Sequence, residues 1–160
     1  MQSKGQGGGL PYDSGMIVLI QRVSEAEVTV GGESTGKIGP GILALVAAQP
    51  DDSPEKLEKM AEKLLNYRVF ADDAGKMNRS LRDTGGGLLL VSQFTLAADT
   101  RSGLRPGFST AAAPDVAEPL FEKFVEMCKK RHAGVETGRF RSHMEVRLVN
   151  DGPVTFLLQT

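Results

Sequence analysis

Ser92, Gln93, Phe94 and Thr95 form the segment of this chain whose groups could best do chemistry. They follow the apolar run 88–91, which predicts a buried strand, so hydroxyl and amide groups lie where that strand ends. The neighbouring sequence holds no base that could activate a serine or threonine nucleophile. Backbone N–H groups and the Gln93 amide could instead act as an oxyanion hole, with the hydroxyls orienting a substrate. The structural alternative is a strand end whose hydroxyls only satisfy backbone groups.

A second unusual segment, 150–155, places Gly152-Pro153 between the strand-like runs 145–149 and 154–158. Proline cannot donate a hydrogen bond to a sheet, so we expect it at an edge, a bend or an exposed loop. Glycine before it lets the backbone approach a ligand or another subunit closely. Together the two segments predict a site built from backbone and hydroxyl groups, with few charged side chains.

The other reactive side chains have simpler explanations. Cys128 lies on the apolar face of a predicted helix, and His132 lies in its last turn, where a cationic ring suits the helix dipole. His143 could be a general base, although nothing nearby in the sequence supports a triad. One cysteine and two histidines at these positions match no familiar zinc spacing. The sequence therefore predicts neither a metal nor a cofactor.

The length of 160 residues suits one domain with a real core. Residues 1–15 are Gly-rich, polar and aperiodic, which predicts a disordered leader or a cloning tail before a single domain over 16–160. No apolar run approaches the ~20 residues of a membrane span, and no signal peptide is visible. Because a lone cysteine also fits a reducing compartment, we expect a cytoplasmic protein that does not bind membranes.

A net charge of −1 argues against a protein that coats nucleic acid through charge alone. The stretch from Lys123 to Arg147 nevertheless holds seven Lys or Arg residues against three Glu residues. This stretch is either a solvated surface or a local patch for a ligand that carries phosphate.

Several elements must position these segments. Alternating and apolar runs predict strands over the first third, at 17–23, 25–30, 33–38 and 42–46. Ser53 as N-cap and Pro54 at the first helical position begin an amphipathic helix, and a second one begins near Pro114. The predicted fold class is α+β: mostly antiparallel β-sheets, curled or stacked into a barrel-like form, with two amphipathic helices packed on one face in β/β/α layers.

The two chemical segments also carry a resemblance. Ser92-Gln-Phe-Thr-Leu96, followed by Asn150-Asp-Gly-Pro-Val-Thr155, closely resembles the paired motifs of the D-aminoacyl-tRNA deacylases. Further matching segments extend the resemblance over essentially all of 16–160: 20–26, 38–41, 76–80, 105–109 and 137–140. Two motifs in the right order with matching flanks make the resemblance specific.

The resemblance implies an enzyme that hydrolyses the ester between a D-amino acid and the 3′-terminal adenosine of tRNA. Glycyl-tRNA is also an implied substrate, because glycine is achiral. The implied assembly is a homodimer with the active site at the subunit interface. Gly152-Pro153, joined by a cis peptide bond, would enter the partner's site, hold the α-amino group with backbone carbonyls and leave no volume for an L side chain.

The same resemblance assigns roles to individual residues. The ester and the terminal adenosine would be lined by Ser92, Gln93, Phe94 and Thr95. Phe140 and Met144 would lie near the adenosine, where an aromatic or thioether surface can pack on a base. Gly152-Pro153 would be supported by Arg22, Val154 and Thr155.

Three hypotheses follow. In the favoured one, the ribose 2′-OH of the substrate assists attack on the ester while the protein supplies positioning and oxyanion donors. In the second, Thr95 is the nucleophile of an esterase. In the third, the chain is a catalytically silent module that binds tRNA or DNA. The third is suggested by the basic stretch and by Arg141-Ser142-His143, which stands where the family usually has Gly-Ala-Asp.

Overall fold

The computed structural model describes residues 15–159. The predicted leader 1–15, apart from Gly15, therefore lies outside the described residues. The strands are β1 Ile17–Val30, β2 Glu33–Ile38, β3 Gly41–Ala47, β4 Phe70–Ala71, β5 Met77–Arg79, β6 Gly87–Ser92, β7 Val135–Thr137 and β8 Glu145–Gln159. The helices are α1 Pro54–Asn66, α2 Leu81–Thr84 and α3 Pro114–Arg131, with a 3-10 turn over Phe94–Ala97.

The long strand β1 organises the main sheet. Its C-terminal half pairs with β2 and its N-terminal half with β3, whereas β8 pairs along the opposite edge of β1. β6 and β7 continue from β3 in the order β2-β1-β3-β6-β7. The sheet nearly closes into a barrel because β2 also approaches β7: a Cβ atom on Gly36 would lie 2.5 Å from the Thr137 carbonyl oxygen.

The two long helices cover one face of this sheet. Ser53 caps α1 by accepting a hydrogen bond from the Lys56 N–H, at 3.4 Å. The predicted apolar stripe of α1 is buried: Leu57, Met60, Ala61, Leu64 and Leu65. Phe124 and Cys128 of α3 belong to the same core cluster as that stripe and as the inward residues of β1, β3 and β6. The predicted α+β, barrel-like class with helices on one face is confirmed.

Parts of the topology differ from the expectation of mostly antiparallel pairing. β3 pairs with β6 in parallel, and β6 pairs with β7 in parallel. Parallel neighbours need a crossover connection, and here α1 and α3 lie in the two crossovers. The two strands predicted on either side of Gly152-Pro153 form the single strand β8. Irregular register at Gln21–Glu25 of β1 accommodates the proline on this edge strand.

Candidate active site

The predicted chemical segment lies at a sharp change of structure. β6 ends at Ser92, and the chain then enters the 3-10 turn. The Gln93 N–H donates to the Val46 carbonyl oxygen, 2.7 Å away, which fixes the turn to the end of β3. The Gln93 side-chain amide donates to the Thr95 hydroxyl oxygen. This amide orients the hydroxyl but is not a base that could take its proton.

A cavity of about 540 Å³ opens beside the turn. Ser92, Gln93 and Phe94 line it together with Phe140 and Met144, so the structure unites two groups of predicted residues that are far apart in the sequence. The rest of the lining is mostly small or apolar and comes from Phe108, Ala111, Ala112, Ala113, Pro114, Ala117, Arg141, Ser142, His143 and Val146. Such a volume is within the ~300–1,000 Å³ typical of small-molecule sites.

Aromatic rings give this cavity surfaces on which a base could stack. The ring of Phe94 is 54% exposed and lies 5.4 Å from the ring of Phe108, centroid to centroid. Phe140 is tied to the core through Phe121, at 6.2 Å. Exposed aromatic faces beside an apolar floor suit a nucleobase, which stacks on aromatic side chains.

The Gly152–Pro153 segment is exposed on β8, and its peptide bond is cis, as the resemblance implied. Arg22 reaches this segment from β1: its Nε donates to the Asp151 carbonyl at 3.0 Å and is 3.1 Å from the Asp151 carboxylate. Its Nη1 donates to the Val69 carbonyl at 2.6 Å. Arg22 therefore ties the segment to the chain that follows α1.

Neighbouring side chains hold the other side of the segment. The Asn150 amide donates to the carbonyl oxygens of Arg22 and Val154, at 2.9 and 3.1 Å. Val154 is buried in the main core, and the Thr155 hydroxyl accepts a hydrogen bond from Gln21 at 3.3 Å. Gly152 leaves no room for a Cβ atom, which would lie 2.2 Å from the Asn150 side-chain oxygen.

Within one chain, the cavity and the Gly152–Pro153 segment do not meet. Arg22 pairs with Ile42 of β3, and Ile42 pairs with Leu88 of β6. Ser92 is four residues further along β6, which is about 13 Å along the strand direction. The predicted site residues thus form two separate groups in a single chain, one around the cavity and one around Arg22 and β8.

Known proteins resemble this chain over nearly its whole length. A family model described as D-Tyr-tRNA(Tyr) deacylase matches residues 19–159. A D-aminoacyl-tRNA deacylase of Stenotrophomonas maltophilia (strain K279a) is 70% identical over 145 residues, covering 90% of this chain and 99% of the relative. The chain belongs to the D-aminoacyl-tRNA deacylase family. A deacylase of Xanthomonas axonopodis pv. citri (strain 306) is 66% identical with the same coverage.

Two solved structures share the fold of this family member. One, titled c-Myc DNA Unwinding Element Binding Protein, has a TM-score of 0.86 and 39% identity, and the match covers 90% of this chain and 98% of that one. The other, titled as a probable eukaryotic D-amino acid tRNA deacylase, has a TM-score of 0.80 at 16% identity over 91% of this chain and 100% of that one. At that identity the second likeness supports the fold alone.

The sequence missed part of the cavity of this deacylase-family chain. Phe108 and the small residues 111–113 and 117 form much of its lining, yet they carry no reactive group. The available signal was the run Ala111-Ala-Ala-Pro114, whose small side chains leave space where α3 begins. His143, considered above as a general base, lines the cavity beside Met144.

Cys128, the single cysteine of this family member, is not suited to act as a nucleophile. Burial raises the pKa of the Cys128 thiol to about 12, so the thiol stays protonated.

Hydrogen bonds from Arg101 lower the pKa of Asp99 to about 2. Asp99 also pairs through its backbone with Gly107, at the base of the loop before Phe108.

Residues 15–159 lack two features, a metal-binding cluster and a membrane-spanning helix. No cluster of three or more His, Cys, Asp or Glu side chains in this range is arranged to hold a metal ion. No helix in the same range is long and apolar enough to cross a membrane.

Proposed function

We propose that this member of the D-aminoacyl-tRNA deacylase family hydrolyses the ester of D-aminoacyl-tRNA and of glycyl-tRNA, releasing the amino acid and tRNA, and leaves L-aminoacyl-tRNA intact. The observation that carries the proposal is the cavity that joins Ser92, Gln93 and Phe94 to Phe140 and Met144. A terminal adenosine can pack on the aromatic and thioether surfaces, and its ribose ester then lies beside the end of β6.

The proposed chemistry needs no protein nucleophile. The Thr95 hydroxyl is hydrogen-bonded to the Gln93 amide, so its nearest polar partner orients it without activating it. The ribose 2′-OH next to the ester is already positioned by covalent geometry to assist the attack of water on the carbonyl carbon. Backbone N–H groups of the turn after Ser92, together with the Gln93 amide, stabilise the oxyanion that forms.

We propose that the working enzyme is a homodimer in which each cavity receives Gly152–Pro153 from the partner. In support, the segment is exposed and lies about 13 Å along the strands from the cavity of its own chain. Large apolar side chains on β8 beside it are also exposed: Val149, Phe156 and Leu157. Such a strip is typical of an interface between subunits. Rigid backbone at the mouth of the cavity would exclude L side chains by sterics and admit glycine.

The direct test is deacylation of D-Tyr-tRNA, L-Tyr-tRNA and Gly-tRNA side by side, with purified protein and no added metal. We expect rapid loss of the D and glycyl esters and an intact L ester. Equal hydrolysis of the D and L esters would contradict selection by exclusion. No hydrolysis of any ester would contradict the activity itself.

A mixing experiment tests the shared site. Gln93→Ala damages the cavity, and Arg22→Ala releases the Gly152–Pro153 segment. When the two variants are exchanged into mixed dimers, each mixed dimer has one site with both parts intact. Half of the dimers in an equal mixture are mixed, so recovery of about a quarter of the wild-type activity is expected. No recovery in dimers shown to be mixed would place both parts of each site in one chain.

A second candidate, a module that binds nucleic acid without catalysis, is favoured by the 39% identical structure titled as a DNA-element binding protein. It predicts tight binding of tRNA or DNA and no deacylation in the same assay.

For the cellular compartment we propose the cytoplasm, because the proposed substrate is used in translation and the single cysteine fits a reducing environment.

A further inference from the structure

Arg141 has an unusual backbone. Its φ of +59° makes it the only residue other than glycine with positive φ among those the structure describes. An L side chain is disfavoured there because Cβ crowds the following carbonyl. Residues in such sparsely populated conformations cluster at ligand-binding sites, where the surroundings over-determine them. The conformation occurs in the short loop between β7 and β8 that lines the cavity.

The Arg141 side chain is held from one side and remains open on the other. Its Nη2 donates to the Asp115 carboxylate at 2.9 Å, and its Nε lies 3.9 Å from the Glu118 carboxylate. A guanidinium has five N–H donors in a fixed fork, so these contacts leave donors for a ligand. The Arg141 side chain is 54% exposed and that of Asp115 is 93% exposed, so solvent weakens their attraction and an anion can compete.

Residues 141–143 form one rim of the cavity, and His143 adds a second donor to this rim. It is exposed and lines the cavity, two residues after Arg141. Phe140 and Met144, the proposed adenosine surfaces, immediately flank the segment 141–143. The 3′ oxygen and the 5′ carbon of a nucleotide leave opposite faces of the ribose ring. With the base on those surfaces and the 3′ ester at the end of β6, the 5′ phosphate is therefore directed away from the ester, toward residues 141–143.

We propose that Arg141 and His143 bind the phosphodiester on the 5′ side of the terminal adenosine of tRNA. This contact would make the enzyme prefer esters of tRNA over esters of free adenosine. The inference rests on the proposed function, because it assigns a part of the same substrate. A planar guanidinium suits phosphate oxygens, and the Asp115 and Glu118 carboxylates keep the guanidinium at the rim.

The test compares two substrates that differ in this phosphate. D-Tyr-tRNA has it, whereas 3′-O-D-tyrosyl-adenosine carries the same ester and base without it. The variants are Arg141→Gly, which suits the positive φ, and His143→Gln, which removes the imidazole and keeps a hydrogen-bond donor. Arg147→Gln is the control, since Arg147 pairs with Glu145 and lines a different cavity.

We expect Arg141→Gly to lower kcat/KM about three- to tenfold for D-Tyr-tRNA, and His143→Gln less, with no change for the adenosine ester. The plot of log(kcat/KM) against log[salt] has a negative slope. For Arg141→Gly the magnitude of this slope should decrease by about 0.7, the value for one phosphate contact in a single strand. The Tm of this variant should not fall, because glycine relieves the backbone. Arg147→Gln should match wild type in kcat/KM for both substrates and in the salt slope.

Equal losses on both substrates, or no loss on either, would overturn the phosphate contact while leaving deacylation intact. If wild type cleaves neither substrate, the proposed function fails instead. Fluorescence titration with deacylated tRNA at several salt concentrations then still decides the contact. An unchanged salt slope for Arg141→Gly would overturn it, and a slope lowered by about 0.7 would support it.

Discussion

Replacing Arg22 with alanine should unfasten the Gly152–Pro153 segment from the barrel. Three interactions of the guanidinium would be lost at once: with the Val69 carbonyl, the Asp151 carbonyl and the Asp151 carboxylate. Because Asp151 directly precedes Gly152, the segment would lose its attachment on this side and keep the Asn150 hydrogen bonds on its other side. The variant therefore tests whether position, and not merely presence, of this segment matters.

The size of the effect follows from burial. Val69 is 1% exposed, so its carbonyl would lose a donor away from water, at a cost of about 1–3 kcal/mol. The Asp151 side chain is 61% exposed, and such an ion pair contributes at most about 1 kcal/mol. The expected loss in the free energy of unfolding is about 2–3 kcal/mol, which lowers Tm by about 5–10 °C in a domain of this length.

The assay combines thermal unfolding with deacylation of D- and L-Tyr-tRNA. We expect lower kcat/KM for the D ester and a smaller ratio of D to L rates. Asp151→Asn is the matched control, since it removes the exposed carboxylate charge and keeps the backbone carbonyl; its Tm should change little. If Arg22→Ala lowered Tm no more than Asp151→Asn and kept full D-over-L discrimination, the role of Arg22 in holding the Gly152–Pro153 segment would be refuted.

Three other changes test separate parts of the structure. Thr95→Ala should keep single-turnover deacylation within about tenfold of wild type, whereas near-complete loss together with a trapped acyl-enzyme in wild type would identify a nucleophile. Gly41→Ala should destabilise the barrel by about 3 kcal/mol in denaturant titrations, because its Cβ atom would lie 1.9 Å from the Gly87 carbonyl oxygen. Burial raises the pKa of Asp52, so its folded state favours the proton, and stability falls as pH rises from about 4 through that raised pKa. Asp52→Asn should remove this decline in stability curves against pH, and an unchanged decline would contradict the assignment.

Local signals in the sequence were enough for the long helices. Ser53 and Pro54 begin α1, and the apolar spacing from Leu57 to Leu65 fixes its buried face without reference to any other element. The same holds for the end of β6, where an apolar run gives way to Ser92 and Gln93. Both predictions succeed because neighbouring residues alone determine them.

Pairing between distant segments could not be obtained in this way. β7 has three residues, Val135–Thr137, and joins the sheet only because β6 offers a parallel edge. Gly85–Gly87 has no periodic pattern that would predict pairing, yet Gly87 lies against Gly41 and Ile38 and permits close approach of two strands. Glycine is required at such positions by contacts with residues that are distant in the sequence, so the neighbouring sequence does not reveal its role.

The cavity shows the same division. Its reactive groups were found from Ser92 and Gln93, but its floor of alanines carries no chemical signal and becomes meaningful only where α3 begins beside β6. The charge pattern did indicate a basic stretch, but it could not tell which members reach the cavity. The lining of the cavity makes that distinction, because it includes Arg141 and no other Lys or Arg of that stretch.

A site completed by a second molecule makes catalysis depend on association. Under the proposed arrangement, the cavity of a lone chain lacks the backbone that selects chirality, because Gly152–Pro153 lies on another part of the same barrel. In that arrangement, burial of the exposed Val149, Phe156 and Leu157 would favour the dimer, and these side chains flank the segment that would enter the partner's cavity. Dilution below the dimer dissociation constant should therefore remove activity and selectivity together, since the same contact supplies both.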